Sequence, residues 1–207
     1  SAEEFSFAPA DLGQAHDLAV FRQLNDAYFA WMDGELARVT GKGLQDIVGM
    51  DRARYVDLTV EVALAAVPHT AKVYFLRDGA GRVAAMGGLR TLPDGTPEIV
   101  RIFTLPDFRG RGLGARMVNQ LVAEAESAGH AVVRLDTGVF MRSAQKIYEA
   151  AGFRRREPYP GAEPPALKTR ATTAGAPVLQ VRGLSLPPPD EFGMALRDIN
   201  FEVRAGE

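Results

Sequence analysis

The sequence predicts an α/β fold: a mixed, mostly antiparallel sheet with helices packed on it. Three observations carry this. The apolar period is helical through the first third of the chain, then switches to strand alternation near residue 71. Two turn signals, Asp78-Gly79-Ala80-Gly81 and Pro93-Asp94-Gly95, fold the next strands into a meander. Beyond residue 106 helix and strand alternate, which places helices on the faces of a sheet.

Taken in order, residues 5–8 (FSFA) suit a short first strand. Pro9 and Asp11 open a helical stretch in which Leu12, Ala15, Leu18, Leu24, Ala27 and Tyr28 form an apolar stripe, ending near Asp33-Gly34. Two further helical pieces fall around 44–49 and 52–66, punctuated by Gly41, Gly43 and Gly49. The segment 71–92 reads as a hairpin, and 96–105 (TPEIVRIFTL) is the strongest strand pattern. Gly112 to Ala128 is an amphipathic helix with Leu113, Met117, Val118, Leu121, Val122 and Ala125 on one face, stopped by Gly129. Residues 131–137 form a strand and Arg142 to Ala151 a helix, stopped by Gly152. Closing strands are expected at 153–157 and 166–172.

Composition limits the chemistry. A chain of 207 residues with 46% hydrophobic content can bury a core. A net charge of -2 gives no general attraction to nucleic acid or to an anionic membrane, so neither is expected as a partner. With no cysteine and only His16, His69 and His130, well separated, no metal site is expected. No apolar run is long enough to span a bilayer, and residues 1–10 lack a signal-peptide pattern. The expected setting is cytoplasmic.

The informative segment is Arg109-Gly110-Arg111-Gly112-Leu113-Gly114, between a strong strand and a strong helix. Glycines let the backbone turn tightly and approach a ligand. The free N–H groups and dipole of a helix's first turn attract anions, by roughly 0.3–1 kcal/mol where exposed and up to ~2 when partly buried. An ordinary strand-to-helix turn would use the same residues. Other phosphate motifs fit poorly: GxxxxGK[ST] is absent, and 110–115 reads G-R-G-L-G-A, its third glycine one place early for a dinucleotide fingerprint.

EIVRIFTLPDFRGRGLGARMV, followed by the helix and IYEAAGF, resembles the GNAT superfamily of N-acetyltransferases. The resemblance covers residues 5–171 in element order and 96–153 in motif detail. It implies the GNAT fold, acetyl-CoA as acyl donor and direct attack by a primary amine of a small molecule or amino acid. Arg109 to Gly114, with Ala115, correspond to the pyrophosphate loop, and the main chain of Ile102, Phe103 and Thr104 to the site of the pantetheine arm. Tyr148 matches the tyrosine that serves as general acid; packing on the sheet with its hydroxyl at a polar edge is the alternative. Glu98 is the candidate base, or else a carboxylate paired with an arginine such as Arg101. Asp136 is a second candidate near the acceptor. Tyr28 and Trp31, with Phe29 and Met32, line an acceptor pocket or belong to the core. Met141 stands where many members have a cofactor-contacting Asn; Arg142 or Ser143 are the available substitutes. A non-catalytic acyl-CoA-binding module is the competing reading.

Residues 1–171 thus form the expected acetyltransferase domain, and 172–177 (TTAGAP) a linker. Residues 178–207 resemble the start of an ABC-transporter ATP-binding domain, expected as a two-strand appendage. Its phosphate loop is missing, so no ATP hydrolysis of its own is expected, and an accessory piece of an ABC transporter is the further competing function. Three readings stay open: a fusion or truncation remnant, the first part of a longer protein, or strands recruited to another sheet edge, as in a homodimer.

Overall fold

The computed structural model describes residues 4–65, 71–138, 141–156 and 199–204. The first strand, β1 (Ser6–Pro9), leads into a tight turn in which Asp11 accepts the Gly13 N–H. α1 (Ala15–Thr40) follows and runs past the expected stop at Gly34. A mid-helix glycine costs about 1 kcal/mol, and burial of Leu36 against Leu44, Ile47 and Val48 outweighs it. Gly41, in the left-handed conformation at φ 74, ends the helix. α2 (Leu44–Val48) and α3 (Arg52–Ala65) fall where the sequence places them. Arg22 pairs with Asp57 to tie α1 to α3.

β2 (Lys72–Arg77), β3 (Val83–Thr91) and β4 (Pro97–Thr104) form the meander. The Asp78 carboxylate accepts the N–H groups of Ala80 and Arg82 in the first turn, and Asp94 accepts that of Thr96 in the second. A one-turn 3-10 helix (Pro106–Phe108) connects to α4 (Leu113–Ser127), followed by β5 (Val132–Thr137), α5 (Arg142–Ala150) and β6 (Arg154–Arg156). Together with β7 (Ile199–Arg204) the strands make one sheet in the order β1-β2-β3-β4-β5-β7-β6. Only the β4–β5 contact is parallel; every other pairing is antiparallel.

The expected mixed sheet flanked by helices is what forms. One placement differs. Residues 199–204, read from their local pattern as part of an appendage, lie inside the sheet and pair with both β5 and β6. Local pattern has no access to this, because two distant strand edges supply the hydrogen bonds. The expected strands at 166–172 and 178–186 lie outside the described residues.

The two sheet faces bury different clusters. Phe21 and Leu24 of α1 and Val60 of α3 pack on Val73, Phe75, Met86 and Phe103. Met117, Val118, Leu121 and Ala125 of α4 pack on Leu76, Ile99, Val133 and Leu135. Gly87 lets α4 sit close: a Cβ there would lie 2.8 Å from Met117 Cγ and 2.9 Å from both Ile102 Cδ1 and Leu121 Cδ1. Gly87→Val is therefore expected to lower stability by about 1–3 kcal/mol, read as a reduced urea midpoint. An unchanged midpoint would show that α4 is not seated on β3 in this way.

Candidate active site

The site is built where β4 parts from β5. These strands pair only at Glu98↔Arg134 and Ile99↔Leu135. Beyond Ile99, β4 continues along β3 through Phe103 and Thr104. Its β5-facing main chain over Arg101 to Thr104 thus has no strand partner among the described residues, which leaves an extended ligand something to hydrogen-bond. β4 also bulges here. Its register on β3 slips opposite Met86–Gly88, and Arg101 takes φ 56, the positive-φ non-glycine residue among those described.

The open strand end points to the start of α4. Gly110 and Gly112 adopt φ 76 and 73. Gly112 is the N-cap, and no side chain caps the helix, so first-turn N–H groups, including those of Leu113 to Ala115, remain for an anion. Arg109 and Arg111 are exposed beside this turn. Arg109 Nε donates to the Thr104 carbonyl at 3.3 Å, and its guanidinium lies 5.7 Å from the Phe103 ring. Arg111 donates to the Asp107 carbonyl at 3.3 Å. Leu113 is buried in the core and anchors the helix start. Gly114 has a different job: a Cβ there would lie 3.0 Å from Ile147 Cδ1, so its smallness seats α5 against α4.

α5 brings in Tyr148, which is 6% exposed. Burial pushes its phenol well above the ordinary tyrosine range, and the fields of Tyr28 and Asp136 add to this. Burial likewise raises Tyr28 to about 12, opposed by Arg101 and reinforced by Tyr55 and Asp136. Tyr28, Asp136 and Tyr148, from α1, β5 and α5, are therefore brought within electrostatic reach of one another. Trp31 stacks on Tyr28 at 6.2 Å, and Tyr28 lies 5.5 Å from Phe103. The aromatic group on α1 divides between two clusters. Phe29 packs on Tyr55 at 4.6 Å in the cluster beneath, while Tyr28 reaches the acyl-side strand.

Glu98 is 1% exposed and accepts a hydrogen bond from Arg90 Nε. The arginine that pairs with it is thus Arg90, its cross-strand neighbour on β3, and not Arg101. Met141 is the N-cap of α5, where its sulfur accepts a hydrogen bond from Thr137 Oγ1 at 3.4 Å. Gln145 Nε2 donates to the Gly138 carbonyl at 3.0 Å and holds the start of the loop after β5. Sequence reasoning passed over Arg101 as a site residue. Its signal was a charge set among the apolar residues Ile99, Val100, Ile102 and Phe103.

Comparison with known proteins bears on the family and the fold. The model of the Acetyltransferase (GNAT) family matches residues 44–153, just over half of the chain. An uncharacterized N-acetyltransferase of Methanocaldococcus jannaschii is 40% identical over 60 residues, which is 29% of this chain and 26% of that protein. An IAA acetyltransferase of Azospirillum brasilense is 31% identical over 81 residues, 39% of this chain and 53% of that protein. The chain thus spans between about a quarter and about half of these curated relatives. Among solved structures, a GNAT-family acetyltransferase from Staphylococcus aureus superposes with TM-score 0.53 at 12% identity, covering 82% of this chain and 95% of that one. A spermidine/spermine N-acetyltransferase from Vibrio cholerae does so with TM-score 0.50 at 13% identity, covering 74% and 82%. At such identities the likeness is one of fold.

Proposed function

The chain belongs to the GNAT acetyltransferase family, and on that premise we propose that it transfers an acetyl group from acetyl-CoA to the primary amine of a small molecule. The observation that carries the reading is one alignment of features. The β5-facing edge of β4 beyond Ile99, without a strand partner among the described residues, leads straight to an uncapped helix start flanked by two left-handed glycines and two arginines. A Cβ at Gly110 or Gly112 would meet nothing within 4 Å, so the turn has room for a diphosphate. The N–H groups at Leu113 to Ala115 and the side chains of Arg109 and Arg111 would hold it. The main chain of Ile102, Phe103 and Thr104 would hold the pantetheine arm. When bound, the thioester supplies the activated acetyl group.

The chain's own residues do the rest. Tyr148 keeps its proton at neutral pH and would donate it from Oη to the sulfur as the carbon–sulfur bond breaks, after amine attack has formed the carbon–nitrogen bond. Tyr28 and Trp31 form the wall along which the acceptor lies, and Asp136 draws its ammonium end. Glu98 acts through Arg90: the buried pair fixes the strand that carries the acyl site, and base catalysis falls to Asp136 or to water. The domain proper would span 1–171, with β7 contributed from the 178–207 segment.

Thiol release from acetyl-CoA, followed across a panel of primary amines alongside calorimetric titration of acetyl-CoA, tests this. Binding with amine-dependent thiol release is the expected result. Binding without release from any amine would favour a non-catalytic acyl-CoA module. No binding at all would end the reading.

A further inference from the structure

We propose that the acceptor carries a carboxylate besides its amine, and that Arg101 is the residue that reads it. This rests on the reading of the site as an acetyl-transfer centre. A guanidinium keeps its charge under all ordinary conditions, so a sheltered one needs an anion. The neighbouring cation, Arg90, is balanced by Glu98. Arg22, Arg52, Arg54 and Arg77 also pair with carboxylates. Arg101 has no hydrogen bond and no ion pair among the described residues. Its electrostatic neighbours are the phenols of Tyr55 and Tyr28 and the cation of Arg90.

The backbone points the same way. Arg101 sits on the β4 bulge at φ 56, a conformation glycine adopts without strain and a bulky L residue avoids. Keeping an arginine there costs backbone energy, and a side chain aimed at a ligand accounts for that cost. The bulge also lies at the end of β4 where the acyl group would rest, next to the strand opening.

Charges of both signs act on Tyr28. Tyr28 feels the positive field of Arg101 and the negative field of Asp136. An acceptor lying along Tyr28 is therefore within reach of both a cation and an anion. That arrangement complements an amino carboxylate, with its nitrogen toward Asp136 and Tyr148 and its carboxylate on the Arg101 fork. A planar guanidinium matches the two oxygens of one carboxylate. A phosphate dianion would bring two charges to a region whose second cation, Arg90, is already neutralised.

The experiment compares kcat/KM for amino acids, their carboxamides and the matching aminophosphonates. It uses the wild-type protein, Arg101→Met and Arg101→Lys, with acetyl-CoA affinity measured in each. The wild type is expected to favour acids over amides on the order of 100-fold or more. Arg101→Met should erase that ratio by slowing the acids, with acetyl-CoA affinity retained, and Arg101→Lys should restore part of it. Arg101→Gly relieves the backbone strain and serves if the Met variant does not fold. The idea is overturned if the wild type treats acid and amide alike, if the ratio survives in Arg101→Met, if both substrates fall together, or if phosphonates outpace carboxylates. If acetyl-CoA binds but no amine turns over, acetyl transfer fails while this inference is still decided. Heat from the same carboxylates titrated into the acetyl-CoA complex, lost in Arg101→Met, supports it, and no heat refutes it.

Discussion

Tyr148→Phe is expected to lower kcat by about 10²–10⁴-fold, with acetyl-CoA affinity little changed. The ring would stay in its place against Phe153, 6.1 Å away, so what is removed is one proton donor. Expulsion of a thiolate needs that proton, and burial keeps it on Tyr148 across the neutral range. The sign of the pH effect follows. A phenol raised in the folded state holds a proton that the unfolded chain releases near pH 10. Its contribution is neutral below that pH and counts against the fold as pH rises above it. Tyr28, raised to about 12, acts with the same sign. kcat should therefore show no falling limb from Tyr148 below pH 10. Alkaline unfolding above pH 10, followed by circular dichroism, should be milder in the Phe variant. A kcat equal to wild type would remove Tyr148 from the chemistry.

Gly112→Asp should weaken acetyl-CoA binding on the order of 100-fold or more in calorimetric titration. Two effects combine. An L residue at φ 73 is strained by about 1–2 kcal/mol, less for Asp than for most. The larger effect is the carboxylate itself, placed at an uncapped helix start, where it would claim the free N–H groups and repel a diphosphate. Gly112→Ala separates the two, since it keeps only the strain. An unaltered dissociation constant in Gly112→Asp would move the anion site elsewhere.

What the sequence makes legible is what local chemistry decides. The meander, the glycine turn and the helix after it are written in neighbouring residues, and they appear where expected. Tyr148, Tyr28 and Asp136 are singled out one by one, and the structure assembles them. What escapes is set by partners far along the chain. The register of β3 on β4 decides that Arg90, eight residues back, holds Glu98. Helix-on-helix approach decides that Gly114 serves Ile147 as much as any ligand. The bulge that turns Arg101 toward Tyr28 and Tyr55 is invisible in an alternating strand pattern. The burial of Leu36 carries α1 past a glycine that would end a free helix.

The two-pair junction of β4 with β5 has a mechanical meaning. One slab of four strands and another of three are joined across the middle by a two-rung seam, with α4 packed on β3 and β4 and α5 against α4. A thioester arm laid into the wedge would bridge the slabs like a splint, giving main-chain bonds to one and filling space against the other. Donor binding and the stability of the sheet would then be linked, so that a bound thioester raises the resistance of the seam to opening.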